Sequence, residues 1–199
     1  MNRLALSLVA CSLLTAPLLA QDVTEPKSGA KFAAKENGLS LLGVGLRTKT
    51  IAHVKVYAVG LYVADSALSG PLKAYKGKTG SAEFARAIVD GDFKKRVVLK
   101  FQRDLSEDQI KDGFRDALKG AGAKTDVWVN YFTPVKTGSE VDVAWTPGTG
   151  LETKVAGLNK SPINDKAFAS SVFGIWLGEK PIQDDIKRDL VSKADAVLP

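Results

Sequence analysis

LSLLGVGLRTKTIAHVKVYAVGLYVAD, residues 39–65, is the stretch whose reading decides the fold. It is rich in glycine and β-branched residues, and no proline interrupts it. Apolar residues occupy both parities of 39–46, the pattern of a strand buried on both faces. From residue 53 to 60, Val54, Val56, Ala58 and Gly60 alternate with His53, Lys55, Tyr57 and Val59, a second strand. Thr48 to Ala52 then connects two antiparallel strands. A turn centred near Ala52 sets Arg47 opposite Tyr57 on one face, and a slip of one residue would part them. An arginine inside an apolar strand needs a partner, because unpaired charge is rarely buried. We read Arg47 as the mark of a ligand site. Gly43 and Gly45 share its parity and leave space on the face into which it points. Gly43-Val44-Gly45 is not a dinucleotide loop. Thr48 stands where the third glycine belongs, and a strand follows where the phosphate needs a helix N-terminus.

Outward from this hairpin the chain alternates helices and strands. A short strand is expected around Phe32, with a turn at Glu36-Asn37-Gly38. Ser81 to Val89 reads as a Ser-capped helix, and Phe93 to Arg103 as a strand. Ser106-Glu107-Asp108-Gln109 is a capping box opening a helix to Lys119. The aromatic run Asp126 to Val135 suits a short helix better than a strand. Glu140 to Thr146 and Leu151 to Leu158 form a hairpin about Pro147-Gly148-Thr149-Gly150. Asn164 to Leu177 is a helix capped by the asparagine, with Phe168, Val172, Phe173 and Trp176 as its core stripe. Ile182 to Ala194 is a final amphipathic helix. About six antiparallel strands with helices against one face make an α+β domain.

The first 20 residues are set apart from this fold. Met1-Asn2-Arg3 is a basic start, Leu4 to Ala20 is almost wholly apolar, and polarity returns at Gln21-Asp22. This is the pattern of a secretory signal peptide cut after Ala20, leaving residues 21–199 as a single domain in the periplasm or outside the cell. The apolar run is short for a span and contains Pro17, so no stable membrane insertion of the mature chain is expected.

Composition narrows the chemistry further. The sole cysteine, Cys11, lies in the leader, so the mature chain has no thiolate, disulfide or cysteine metal site. His53 is the only histidine and reads as an exposed strand residue; no metal site or cofactor is expected. The net charge is +6, from 28 basic and 22 acidic residues, but no dense Lys/Arg block points to nucleic acid.

The motif GVGLRTKTIAHVKVYAVGLYV, with EPKSGAKF before it and AFASSVFGIWLGEKPI near the end, resembles the chalcone isomerase-like superfamily over residues 24–193. The resemblance implies an open-faced β-sandwich: a large antiparallel sheet, a helical layer and a ligand cleft between them. Plant chalcone isomerases have an arginine at the position of Arg47, a threonine at that of Tyr57, and a tyrosine and an asparagine on the following helix. Those last two positions fall near Ser106 and Gly113, and no tyrosine occurs anywhere from 76 to 130. The fatty-acid-binding branch uses an arginine and a tyrosine at the motif positions of Arg47 and Tyr57 to hold a carboxylate. The resemblance therefore implies a non-catalytic carrier of a fatty acid or similar apolar carboxylate, with Arg47 and Tyr57 as its ligand-binding residues. Two other readings stand beside it. One is an intramolecular lyase (isomerase) in which Arg47 stabilises an oxyanion. In the other, Arg47 merely pairs with Asp65 or Asp142.

Overall fold

The computed structural model describes residues 22–49 and 53–199. The expected leader, its cleavage point, Cys11 and the turn centre at Ala52 lie outside the described residues. The chain runs β1 (Val23–Thr24), β2 (Lys31–Phe32), β3 (Lys35–Glu36), β4 (Leu39–Lys49), β5 (Val54–Ala64), α1 (Asp65–Ser69), a 3-10 turn at Lys73–Tyr75 and α2 (Ala82–Asp90). Then follow β6 (Lys95–Phe101), α3 (Glu107–Ala117), α4 (Lys124–Val129), β7 (Glu140–Thr146), β8 (Gly150–Val155), β9 (Leu158–Asn159), α5 (Lys166–Leu177), α6 (Asp184–Leu190) and α7 (Ala194–Val197). The main sheet has the order β3-β4-β5-β6-β7-β8-β9, each strand antiparallel to its neighbours. It holds five of the six expected strands plus short β3 and β9 at its two edges, while the expected strand at Phe32, β2, pairs with β1 in a separate two-stranded sheet.

Strand pairing carries the two-residue alternation across the whole sheet. Tyr57, Val59 and Leu61 pair with Phe101, Leu99 and Val97, and the last two pair on with Val141 and Val143. Cross-strand partners share a face, so these side chains form one apolar surface. Helices cover it, with Phe168, Val172, Phe173 and Trp176 of α5 buried there. Phe114, Trp128, Phe132 and Phe168 pack as neighbouring rings at centroid distances of 4.7–6.4 Å. Lys95 shares this face by register and is also buried. Its ammonium donates to the carbonyls of Ile88 (2.7 Å), Val89 (2.5 Å) and Gly91 (2.9 Å), and so ties off the end of α2.

The opposite face is covered by the β1–β2 hairpin. A Cβ on Gly60 would stand 2.6 Å from the Phe32 ring, so the glycine is what lets Phe32 seat there. Arg96, on the same side, bridges Glu36 (2.7 Å) and Asp142 (2.5 Å). The burial on both faces that the sequence led us to expect for residues 39–46 of β4 thus comes from helices on one side and this small hairpin on the other.

Four local expectations change. The cap of α5 is Asp165 rather than Asn164, its carboxylate accepting from Phe168 N–H at 3.0 Å. The returning strand stops at Val155, where Ala156 (φ 48°) and Gly157 (φ 86°) turn the chain back into β9. His53 sits in a turn at φ 48°, ahead of β5 rather than within it. The single last helix is two helices, α6 and α7, separated because Lys193 N–H reaches across to the Leu42 carbonyl at 2.8 Å. Leu42 is the extra residue of a bulge, lying between the pairs Leu41–Tyr62 and Gly43–Leu61.

The space left by the missing side chains at 43 and 45 is not part of a ligand cleft. The backbone of α6 fills it. A Cβ on Gly43 would come within 2.1 Å of the Asp189 carbonyl oxygen, and one on Gly45 would lie 3.4 Å from Ile186 Cα. The glycines permit a helix to lie directly on the strand, with Ile186 and Leu190 fully buried beneath it.

Candidate functional site

Arg47 pairs with Tyr57 in the β4–β5 ladder, so their side chains share the helix-facing side. The next pair is Thr48–Lys55, which leaves Val56 as an extra residue on β5. This bulge lies immediately beside the Arg47–Tyr57 pair at the open end of the sheet, where such irregularities re-aim side chains.

Tyr57 is buried and meets Phe101 edge-on, with ring centroids 5.7 Å apart. Its phenol oxygen accepts a hydrogen bond from Trp176 Nε1 at 3.1 Å. Burial pushes the phenol pKa up to about 12, while the Trp176 bond and the Arg47 charge act the other way. Tyr57 is therefore a neutral hydroxyl at ordinary pH, able to donate a hydrogen bond and poorly suited to act as a general base.

Arg47 is half-buried. Its Nη1 donates to the Thr48 carbonyl at 2.7 Å and to Gln183 Oε1 at 3.3 Å. Thr48 N–H also donates to that Gln183 oxygen, at 3.2 Å, so Gln183 fixes the strand and the guanidinium together. Nη1 is thus fully used, whereas among the described residues Nε and Nη2 have no acceptor. The Nε–Nη2 edge is the planar fork that fits a carboxylate with two parallel bonds. Neither acidic candidate reaches it. Asp65 accepts from Ser40 Oγ (2.6 Å) and Lys35 (3.5 Å), and Asp142 accepts from Arg96. Among the described residues, no carboxylate forms an ion pair with Arg47.

Both residues line a cavity of about 590 Å³ between the sheet end and α3. Phe101, Leu105, Ile110, Phe114, Ile175 and Ile182 give it apolar walls; Lys49, Arg103 and Lys180 add positive charge, and Asp112 and Asp116 of α3 add negative charge. This is the usual make-up of a small-molecule site: apolar walls with a few convergent polar groups. Of the two α3 positions that the resemblance singled out, Gly113 lines the cavity and a Cβ there would meet nothing within 4 Å. Ser106 is instead spent on the capping box of α3. His53 lines a different, polar groove on the far side of Gln183. Among the described residues there is no group of three or more His, Cys, Asp or Glu side chains able to hold a metal, and no helix is long and apolar enough to cross a membrane.

The model of the family described as chalcone isomerase-like matches residues 20–192. The chain belongs to the chalcone isomerase-like family. It is 32% identical over 176 residues to a chalcone isomerase-like protein 1 of Humulus lupulus, covering 78% of this chain and 82% of that protein. It is 25% identical over 203 residues to a chalcone–flavanone isomerase of Phaseolus vulgaris, covering 88% of each. Among solved structures it is similar to a fatty-acid binding protein of Arabidopsis thaliana. The TM-score is 0.73 and the identity 22%, with 89% of this chain and 99% of that one covered. That likeness establishes the shared fold: an antiparallel sheet with a helical layer.

Two residues of the site escaped the sequence reading. Trp176 was grouped with the core stripe of α5, although a buried indole N–H needs an acceptor and so carries a weak signal. Gln183 was absorbed into the last helix, whereas it is the residue just before α6 and its side chain turns back to Arg47.

Proposed function

We propose that this protein binds a fatty acid or similar apolar carboxylate in the cavity beside Tyr57, and that it holds the ligand without transforming it. The observation that carries this reading is the Nε–Nη2 edge of Arg47, which has no acceptor among the described residues, beside a neutral, buried phenol in a cavity with apolar walls. The guanidinium would take both carboxylate oxygens and the phenol would donate a further bond. Phe101, Ile110, Phe114 and Ile175 would cover the acyl chain. The structural likeness to a protein named as fatty-acid binding supports the same choice.

Turnover fits the site less well. A phenol with a pKa near 12 is a poor base at neutral pH, and His53 lies outside the cavity. Gly113, the α3 position that the resemblance singled out and that lines the cavity, offers no polar group; the polar α3 residues on the cavity are Gln109, Asp112 and Asp116. The isomerase alternative draws on the likeness to the Phaseolus vulgaris enzyme and on Arg47, which would then stabilise an oxyanion.

Isothermal titration with sodium dodecanoate tests the reading. The wild-type chain binds, and Arg47→Ala weakens binding by about 10- to 100-fold, the loss of a charge-assisted pair. Equal affinity in the two proteins would refute the site, and chalcone cyclisation that vanishes in Arg47→Ala would transfer it to the isomerase reading. The apolar leader supports export of the mature chain, and the mass of the protein recovered from the periplasm or medium tests cleavage after Ala20.

A further inference from the structure

Trp176 Nε1 can only donate, so its bond to Tyr57 makes the phenol oxygen the acceptor. A phenolic O–H lies near the ring plane, with two in-plane directions available to it. A donor seated on the oxygen repels the hydroxyl's own hydrogen, which turns away from the indole. Among the described residues the Tyr57 hydroxyl has no second partner, so no protein acceptor takes that proton. Trp176 is wholly buried and Tyr57 is 4% exposed, so water cannot stand in for the indole. Tyr57 also lines the same cavity as Arg47. We propose that Trp176 is a positioning residue: it pins Tyr57 in the orientation that offers its proton to the ligand head beside Arg47. Beside Arg47 and Tyr57 the cavity then presents donors, with the Asp112 and Asp116 carboxylates on its α3 side, and this end selects a head group that accepts at every oxygen, a carboxylate over the corresponding alcohol.

This inference rests on the ligand reading above, and the experiment separates the two. Tyr57→Phe, Trp176→Phe and the double variant are titrated with sodium dodecanoate and with 1-dodecanol. Each single variant should lose about tenfold in dodecanoate affinity, from one bond to a charged group. The double variant should bind no more weakly than Tyr57→Phe, and dodecanol affinity should stay level across the set. Additive losses, or equal losses for dodecanol and dodecanoate, would mean that Trp176 acts only by packing. Ultraviolet resonance Raman spectra of the ligand-free proteins test the same point without any ligand. The tyrosine doublet, isolated as wild type minus Tyr57→Phe, should report an accepting phenol, and Trp176→Phe should abolish that signature. A doublet unchanged by Trp176→Phe overturns the inference. Failure of the wild type to bind dodecanoate, with the Raman change intact, would overturn the ligand reading and leave the orienting role of Trp176.

Discussion

Gly43→Ala and Gly45→Ala add the same methyl group two residues apart on the same face of β4, and the structure gives them opposite outcomes. At Gly43 the new Cβ would sit 2.1 Å from the Asp189 oxygen and 2.7 Å from both the carbonyl carbon and oxygen of Leu190. All three are backbone atoms of α6, so no side-chain rotation relieves the clash. The helix must lift by an ångström or more to reach ordinary contact. Lifting α6 loosens Ile186 and Leu190, both fully buried. Each side chain is worth about 1.5–3 kcal/mol of burial, so partial loss of both gives roughly 3 kcal/mol. For a domain of this size that is a fall in Tm of about 6–12 °C. At Gly45 the nearest atoms are Ile186 Cα at 3.4 Å and Ile186 Cγ2 at 3.6 Å, ordinary contacts, and stability should change by no more than about 0.5 kcal/mol. Urea unfolding followed by tryptophan fluorescence measures both. Gly43→Ala should also weaken dodecanoate binding, because Gln183 at the head of α6 holds Arg47. A Gly43→Ala protein as stable as wild type, or a Gly45→Ala protein equally damaged, would refute the close seating of α6 on β4.

Other expectations follow from single groups. The Tyr57 phenol has a pKa of about 12 folded against 10.0 unfolded, so its contribution is intact below pH 10 and falls away as the pH rises toward 12. By about pH 11 wild type should have lost roughly 1.4 kcal/mol relative to Tyr57→Phe, and a flat difference between the two proteins would contradict burial of the hydroxyl. Asp165→Ala should cost about 1 kcal/mol through loss of the α5 cap, whereas Asn164→Ala should cost under about 0.5 kcal/mol; the same unfolding assay ranks them. Lys95→Met keeps most of the aliphatic stem but leaves the Ile88, Val89 and Gly91 carbonyls without their donor, and should destabilise by about 1–3 kcal/mol. Exchange of the amides of α2 should rise selectively in that variant.

What was legible in the sequence is what neighbouring residues determine. Alternation from 53 to 60 and the apolar run from 39 to 46 marked β5 and β4, and their pairing set Arg47 against Tyr57. The capping box at Ser106 and the Ser81 cap were equally readable, because a cap acts within three residues of itself. The α5 cap, expected at Asn164, falls one residue later at Asp165, because two adjacent capping residues differ only in which one the chain's approach leaves extended. Only the tertiary structure decided what surrounds the arginine. Gly43 and Gly45 looked like room for a ligand, and the room is taken by α6, some 140 positions further along the chain. Gln183 and Trp176, which hold Arg47 and Tyr57, are separated from them by 136 and 119 positions. No local pattern encodes such contacts, because they depend on how the helical layer crosses the sheet. The sequence by itself determined the pair of polar residues; the packing of α5 and α6 decided which of their polar atoms are engaged within the protein.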